Sequence, residues 1–250
     1  MGQHRYTLPQ NNLMKKIAIF LGLVFMANQS IFAQFKKDPI LNIQNEDKKF
    51  LNWGYYLGFN QYDFQFEYEN DTATQNELTD ILVDTSFGFN VGLIGEMRVN
   101  EFVDIRFEPG LLYSQRILGF PGFDAENDAI REVRSTYIRF PLLVKLSARR
   151  FGNWKPFVIG GGYASMNLGS NEDSLEDNSS GEFRMKKNVY GYELGFGIDF
   201  YTEYFKFTPS IRGVFALTDE LVRDNDPNSP WTGNIAGMRT RGVFINFTFE

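Results

Sequence analysis

The sequence has 250 residues, of which 43% are hydrophobic, 16% aromatic and 22% charged. Its 25 basic and 31 acidic residues give a net charge of −6, which argues against nucleic acid as a partner because that polyanion needs a basic binding surface. There is no cysteine, so disulfide frameworks and thiolate zinc sites are excluded, and the single histidine is His4.

The N-terminal part has the order of a secretory signal peptide. Two lysines precede an apolar run at residues 17–27, which is shorter than the roughly 20 residues that a membrane-spanning helix needs. Ala33 offers a small residue for cleavage. We therefore predict a cleaved signal peptide over residues 1–33, with Met14 as a possible true start, and a buried core helix as the alternative. Removal of the signal peptide leaves 22 basic and 31 acidic residues, a net charge of −9, and no histidine.

Residues 34–48 are polar and show no strand pattern, and we predict that they form a periplasmic N-terminal segment. From residue 49 onward, apolar and polar residues alternate with a period of two, which indicates strands. The alternation occurs in eight segments, at 51–60, 86–99, 103–113, 137–147, 157–165, 190–200, 205–215 and 242–250. Short and long connections alternate between them, as in an up-and-down barrel of the outer membrane.

The composition of the two faces favours a membrane barrel over a soluble one. The apolar faces carry no charge, whereas the opposite faces mix Gly and Ser with both signs of charge, as a narrow lumen requires. An aromatic last strand also suits a barrel, where it closes against the first strand and leaves no edge. We predict an all-β, eight-stranded antiparallel up-and-down transmembrane β-barrel at residues 49–250, in contact with outer-membrane lipid. A soluble barrel is the alternative.

Two irregularities predict local distortions of the strands. Pro109, Pro141 and Pro209 lie inside predicted strands, where each lacks an N–H donor, so we expect bulges there. After residue 59 the aromatic residues move to even positions, which would reverse the faces of the strand. We therefore expect a bulge at residues 60–61 and a strand that continues above the membrane.

The residues needed for common hydrolytic chemistry are missing. Without a mature histidine, the Ser–His–Asp and Cys–His schemes fail. Inward carboxylates are accompanied by inward bases, so we interpret them as a satisfied lumen network and not as an active site. Residues 171–182 are rich in oxygen ligands but lack EF-hand spacing, which favours a flexible acidic loop. We predict no enzyme activity, cofactor or metal, and an eight-stranded lumen too narrow to conduct.

Several stretches resemble a known group of small barrels. "YIRFPLLVKLSA", "RFEPGLLYSQR" and "FVIGGGYAS" are similar to the PorT-like superfamily of small outer-membrane β-barrels. Residues 33–66, "AQFKKDPILNIQNEDKKFLNWGYYLGFNQYDFQF", resemble the start of the PorT family itself, called SprT in gliding bacteria. The resemblance lies in "DP", in "N…DKK" and in the Gly-aromatic-aromatic-Leu-Gly of residues 54–58. Glu46 and Trp53 depart from the pattern.

This resemblance implies a non-enzymatic component of the type IX secretion system and of gliding motility. Its members are needed to export proteins that bear a C-terminal sorting signal, so other secretion proteins are the implied partners. No catalytic or ligand residue comes with the family. The alternative is a structural or adhesive outer-membrane barrel without a secretion role.

Three features are candidate partner sites. Tyr62, Phe64, Phe66 and Tyr68 are predicted partner-binding residues, because aromatics that neither face lipid nor fill a core are favoured at interfaces. The alternative is a hairpin that shields the barrel mouth. The segment 34–48 is the second candidate, at the periplasmic end. The last strand, with Phe249, is expected to be the signal that the barrel-assembly machinery reads.

Overall fold

The computed structural model describes residues 41–68, 81–121, 123, 125–176 and 178–250. The predicted signal peptide at 1–33, and residues 34–40 of the predicted N-terminal segment, lie outside these described residues. The chain divides into two units, Met1–Leu41 and Asn42–Glu250, and the second contains the whole of the sheet.

Ten strand segments form the sheet. They are β1 (Leu51–Tyr68), β2 (Leu82–Thr85), β3 (Phe87–Arg98), β4 (Val103–Phe107), β5 (Gly110–Gly119), β6 (Ile130–Ser147), β7 (Trp154–Asn167), β8 (Asn188–Tyr201), β9 (Lys206–Ala216) and β10 (Ile235–Phe249). The α-helix α1 covers only Glu126–Ala129, and 3-10 turns occur at Glu46–Lys48 and Asn178–Ser180. No helix among the described residues is long and apolar enough to cross a membrane.

The ten segments close into a ring of eight strands. β2 and β3 are two parts of one strand, interrupted at Ser86, and β4 and β5 are two parts of another. All neighbours pair antiparallel, and β1 closes the ring by pairing with β10 on one side and with β3 on the other. The predicted all-β, eight-stranded up-and-down barrel is confirmed.

The two faces of the wall differ as the alternation predicts. Along β1, Leu57 and Phe59 are exposed on the outside, whereas Gly58 between them is buried inside. The same outward row of exposed apolar residues continues around the ring, for example at Leu93, Leu142, Val158, Leu194, Ile211 and Ile245. A closed sheet with this outer surface needs an apolar surrounding medium, which is the hydrocarbon of a membrane.

The structure has no bulge at any of the three prolines, so that prediction is wrong. The register between the β4–β5 strand and β6 is the same on both sides of Pro109, since Phe107 pairs with Leu142 and Gly110 with Arg139. Pro141 lies in that same register, and its carbonyl accepts a bond from the Glu108 N–H at 3.2 Å. Pro209 likewise pairs with Phe247 without a shift. The missing donors are accommodated as local gaps in the ladder, so no extra residue is inserted.

The prediction of a bulge at residues 60–61 is also wrong. β1 pairs with β10 in one register from Tyr55 to Glu67, and the first shift comes between Glu67 and Tyr68. Even-numbered residues of β1 therefore point inward along its whole length. The strand does not reverse its faces at Asn60. The aromatic residues after it point inward, because the interior becomes apolar at this height.

Short and long connections lie at opposite ends, as predicted. Turns at 99–102, 148–153 and 202–205 form the short-turn end, and the described residues of the connections at 120–129, 168–187 and 217–234 lie at the opposite, long-loop end. β1 and β6 have 18 residues each, more than the roughly 9–11 that cross a bilayer. The barrel therefore extends beyond the membrane. The extension lies at the long-loop end, because barrels of this class have short turns on the periplasmic side and longer loops outside the cell.

Candidate functional site

Arg106 lies at the centre of an ion-pair network in the lower half of the barrel. Its Nε is 3.3 Å from Oε2 of Glu96 and 3.1 Å from Oε1 of Glu108. Its Nη2 donates to Oε1 of Glu250 at 3.1 Å. All four side chains are buried, so their charges are compensated inside the barrel and not by solvent.

Two lysines extend the network toward the short-turn end. Lys145 Nζ donates to Asp199 Oδ2 at 2.8 Å and to Glu96 Oε2 at 3.3 Å. Lys206 Nζ donates to Glu96 Oε1 at 3.2 Å and contacts the carboxylate of Glu250. Glu96 is thus shared by three cations, which confirms the predicted lumen network.

A second group of charges lies nearer the middle of the barrel. Arg212 binds both oxygens of Glu108, at 2.5 and 3.0 Å, and Arg139 donates to Glu193 at 2.8 Å. The guanidinium of Arg139 also lies 4.2 Å from the centre of the Tyr163 ring. These contacts hold Glu108 and Glu193 against permanent cations inside the barrel.

Two cavities in the described interior are small. One cavity of about 10 Å³ lies beside Tyr56 and Arg212, and another of about 10 Å³ lies beside Asp104 and Tyr201. Each has room for about one water molecule. The described part of the chain holds no group of three or more His, Cys, Asp or Glu side chains that could bind a metal ion. The lumen is therefore a filled structural interior.

Above the ion pairs, the interior is an apolar core that contains part of the predicted partner site. Phe64 is 3% exposed and packs in a cluster with Leu118 and Met238, and Tyr62 is 4% exposed in the adjoining cluster with Phe244. The premise that these aromatics fill no core is wrong for Tyr62 and Phe64. The cause is the unbroken register of β1, which turns every even residue inward.

The other two predicted residues lie at the edge of this core. Phe66 and Tyr68 are partly buried against it, and the Tyr68 hydroxyl accepts a hydrogen bond from the Ile81 N–H at 2.9 Å. The partner-binding role stays a prediction, and Phe66 and Tyr68 are the two members with exposed surface.

A buried arginine and a buried carboxyl group, Arg116 and Glu220, lie at the apolar core. Arg116 has no exposed surface, its guanidinium is 3.9 Å from the centre of the Phe64 ring, and it donates to Ser135 at 3.2 Å. Glu220, in the 217–234 connection, accepts the Thr240 N–H at 2.8 Å. Burial raises the pKa of the Glu220 carboxyl, although the charge of Arg116 opposes the shift.

The acidic loop at 171–182 is tied to its neighbour at the long-loop end. Asn178 is fully buried, and its amide donates to Asp224 at 3.1 and 3.3 Å. Arg131 donates to the carbonyl of Asn178 at 2.7 Å, and Ser229 donates to Asp224 at 2.5 Å. These bonds link the 168–187 and 217–234 connections, which the sequence pattern did not predict.

The short-turn end holds the start of the described chain in place. Asp47 accepts hydrogen bonds from the Tyr201 hydroxyl at 2.6 Å and from Arg150 Nη1 at 3.3 Å. Asn42 donates from its N–H to Asn153 Oδ1 at 2.9 Å and from its side-chain amide to the Tyr201 carbonyl at 3.0 Å. Residues 42–48 are therefore bound to the barrel, although they lie outside any strand.

Sequence reasoning missed two positions whose side chains hold the barrel together. Glu250 follows the inward row of β10, at Phe244, Asn246 and Thr248, so the alternation itself carried the information that its side chain points inward. Asp47 had no such signal. Its partners are more than a hundred positions away in sequence, and only closure of the barrel brings them together.

A closed eight-stranded sheet, with an apolar outer surface and a filled ionic interior, defines a small β-barrel protein of the outer membrane. The chain belongs to the outer membrane protein beta-barrel domain family, whose model matches residues 32–222. The family places the protein in the outer membrane, with its apolar surface in contact with lipid. No curated protein matches the chain.

Several solved outer-membrane proteins are similar to this chain. OprG from Pseudomonas aeruginosa is 12% identical with a TM-score of 0.47, over 79% of this chain and 94% of OprG. AlkL, solved in DMPC bilayers, is 11% identical with a TM-score of 0.43, over 86% of this chain and 93% of AlkL. Neisserial surface protein A is 8% identical with a TM-score of 0.42, over 80% and 98%.

Proposed function

We propose that this protein is a non-enzymatic outer-membrane component of the type IX secretion machinery. In this role it is required for the export of proteins with a C-terminal sorting signal and, where it occurs, for gliding motility. The proposal rests on the resemblance of residues 33–66 to the PorT family. The observation that carries it is the binding of residues 42–48, within that stretch, to the short-turn end of the barrel.

The filled interior supports a role exerted through surfaces. The ion pairs around Arg106 and the apolar core around Phe64 fill the described lumen and offer no route for an exported protein. Residues 34–250 contain no histidine for nucleophilic or acid–base catalysis. The protein therefore acts by binding other secretion proteins at its ends. The periplasmic site is residues 42–48 with the turns around them, and the exposed surface of Phe66 and Tyr68 is the second proposed contact.

A structural or adhesive barrel is the second candidate function. The observation that favours it is the folded cap at the long-loop end, where Asp224 joins two connections and Trp231 stacks on Phe123 at 5.0 Å. Such a cap presents a fixed surface to the outside of the cell. Under this alternative, the segment at the short-turn end only stabilises the barrel.

Deletion of the gene, followed by proteomics of the culture medium, separates the two candidates. The secretion role predicts that proteins with the C-terminal sorting signal disappear from the medium and return on expression of the parent chain. Normal release from the deletion strain would exclude that role and leave the adhesive alternative. A parallel adhesion assay on the same strain tests that alternative directly.

A further inference from the structure

Among the described residues, the wall of the barrel has a gap in its hydrogen bonding at the long-loop end. β1 pairs with β3 only as far as Gln61, opposite Phe87, whereas the described residues of β2 pair with β5 alone. Above this point the described part of β1 pairs only with β10. A side-chain bond from Gln61 Nε2 to Thr85 Oγ1, at 2.9 Å, joins the two strands at the base of the gap.

A groove of about 440 Å³ lies on the outer surface beside this gap. Its floor is formed by Gly213, Phe215 and Val243 on β9 and β10, and its rim includes Asp63 and Arg241. The volume falls within the roughly 300–1,000 Å³ of small-molecule sites. Gly213 has no side chain, and the edge of the Phe215 ring covers it, 3.0 Å from where a Cβ would lie.

The polarity of the groove changes along its length. Val243 is 52% exposed and continues the lipid-facing row of Ile245 below it. Two residues above Val243, Arg241 donates from Nε and Nη2 to Asp63 Oδ2 at 3.0 and 2.8 Å. The groove is thus apolar at one end and charged at the other, and an amphiphile matches both ends.

We propose that the groove is a binding site for one phosphate-bearing lipid of the outer leaflet, with an acyl chain on the apolar floor and the phosphate at Arg241. The floor is continuous with the outward surface that already contacts lipid, so the occupant enters from the bilayer. The Arg241 side chain is 53% exposed, and its Nη1 has no hydrogen bond to any described residue. A guanidinium N–H that faces the head-group region is a strong donor to phosphate.

Native mass spectrometry of the full chain in detergent, with dimyristoylphosphatidylglycerol as the probe, tests the site. Gly213→Leu adds a side chain against the Phe215 ring, 3.0 Å from the Cβ position, so the new side chain or the displaced ring occupies the groove. Gly162→Leu on the outer surface of β7 is the control, because a Cβ there meets no atom closer than 3.7 Å. We expect the parent and G162L to retain one lipid with equal affinity, and G213L to bind about tenfold more weakly or worse. Equal retention by G213L would overturn the proposal.

Arg241→Gln tests the phosphate contact. It should weaken binding of the phosphatidylglycerol probe but leave retention of dimyristoylglycerol, which has no phosphate, unchanged. An equal effect on both probes would exclude a phosphate site at Arg241. Heat-modifiable gel mobility checks folding of each variant. If G213L does not assemble, Val243→Asn replaces it, with Val158→Asn on the lipid-facing side of β7 as its control.

Discussion

Glu250 reaches into the barrel and accepts a hydrogen bond from Arg106 at 3.1 Å, with both side chains almost fully buried. Its backbone N–H and carbonyl also pair with Lys206, so the residue is held by the β-ladder and by the ionic interior at once. One residue therefore couples closure of the ring to neutralisation of the lumen.

Removal of this carboxylate should destabilise the barrel strongly. Glu250→Ala leaves Arg106 and Lys206 with less negative charge in a buried site, and breaking one side of a buried ion pair costs about 3–5 kcal/mol. Urea unfolding in detergent, followed by gel mobility, measures the change. The control is Arg134→Ala, whose side chain is 65% exposed in its pair with Glu132 and should cost less than about 1 kcal/mol. Equal losses would contradict a structural role for the buried network.

The loss of stability on removing an aromatic side chain of β1 should follow how deeply that side chain is buried. Phe64→Ala leaves a cavity in the apolar core and removes the ring beneath Arg116, so the free energy of unfolding should fall by about 3–5 kcal/mol. Phe66→Ala, at the partly buried edge, should cost clearly less. The same urea titration compares them. If the two variants lose equal stability, Phe64 does not fill the core as its position indicates.

The outward face of the barrel was predictable because lipid imposes one rule on every strand. Leu57, Leu142 and Leu194 stand in different strands, yet each had to be apolar for the same reason, and a period of two reveals it locally. The interior follows no single rule. It is ionic around Arg106 and apolar around Phe64. The shift of the aromatic residues to even positions after Asn60 therefore resembled a reversal of the strand's faces, although only the polarity of the interior changes there.

The contacts at the two ends were not predictable for a different reason. The Asp47–Tyr201 bond joins residues that are 154 positions apart, and the Asn178–Asp224 bond joins two irregular connections. Asp47, Asn178 and Asp224 lie outside the periodic segments, so no local pattern reports these bonds. The folded barrel brings the partners together.

The last strand should be essential for assembly. Deletion of residues 242–250 removes the pairing of β10 with both β1 and β9 and opens two strand edges in the hydrocarbon, where unpaired backbone groups are not tolerated. We expect no heat-modifiable protein in the outer-membrane fraction. Glu250→Gln, which keeps the ladder, should still assemble. A truncated chain that assembles would exclude both ring closure by β10 and its proposed recognition by the barrel-assembly machinery.

The stability of the long-loop cap should depend on pH through Glu220. Burial raises its pKa in the folded state, so the folded protein holds this proton more tightly than the unfolded chain. The resulting stability is complete below the ordinary carboxyl pKa of about 4.3 and is lost as the pH rises through the folded value. Burial also acts on Asp219, but bonds from the Met238 and Leu221 N–H groups outweigh it and lower that pKa. Asp219 is therefore ionised in the folded and the unfolded chain above about pH 5, so it does not make stability depend on pH in that range.

Glu220→Gln isolates this effect. Its amide oxygen can still accept the Thr240 N–H, but the group no longer titrates. Hydrogen exchange of residues 217–234 between pH 5 and 8, corrected for the intrinsic rate, should show protection that falls with pH in the parent chain and a weaker slope in the variant. Identical slopes would mean that Glu220 does not bind its proton more tightly in the folded state.

The bond between Asp47 and Tyr201 should hold the N-terminal segment on the periplasmic end. Asp47→Ala removes the acceptor for Tyr201 and Arg150, and hydrogen bonds to a charged group contribute about 1.5–3 kcal/mol each. Local opening should then rise about tenfold or more, since 1.4 kcal/mol corresponds to a factor of ten. A lysine-specific protease reports this opening through the rate of cleavage after Lys48.

Glu203→Ala, in the exposed turn at 202–205, is the control at the same end of the barrel and should leave the cleavage rate unchanged. Both variants should keep heat-modifiable mobility, because neither residue contributes to the lumen network around Arg106. If the segment carries the partner site, D47A also loses export of proteins with the C-terminal sorting signal, whereas E203A exports normally. Faster cleavage with normal export would support the role of Asp47 in holding the segment but would exclude residues 42–48 from the proposed secretion surface.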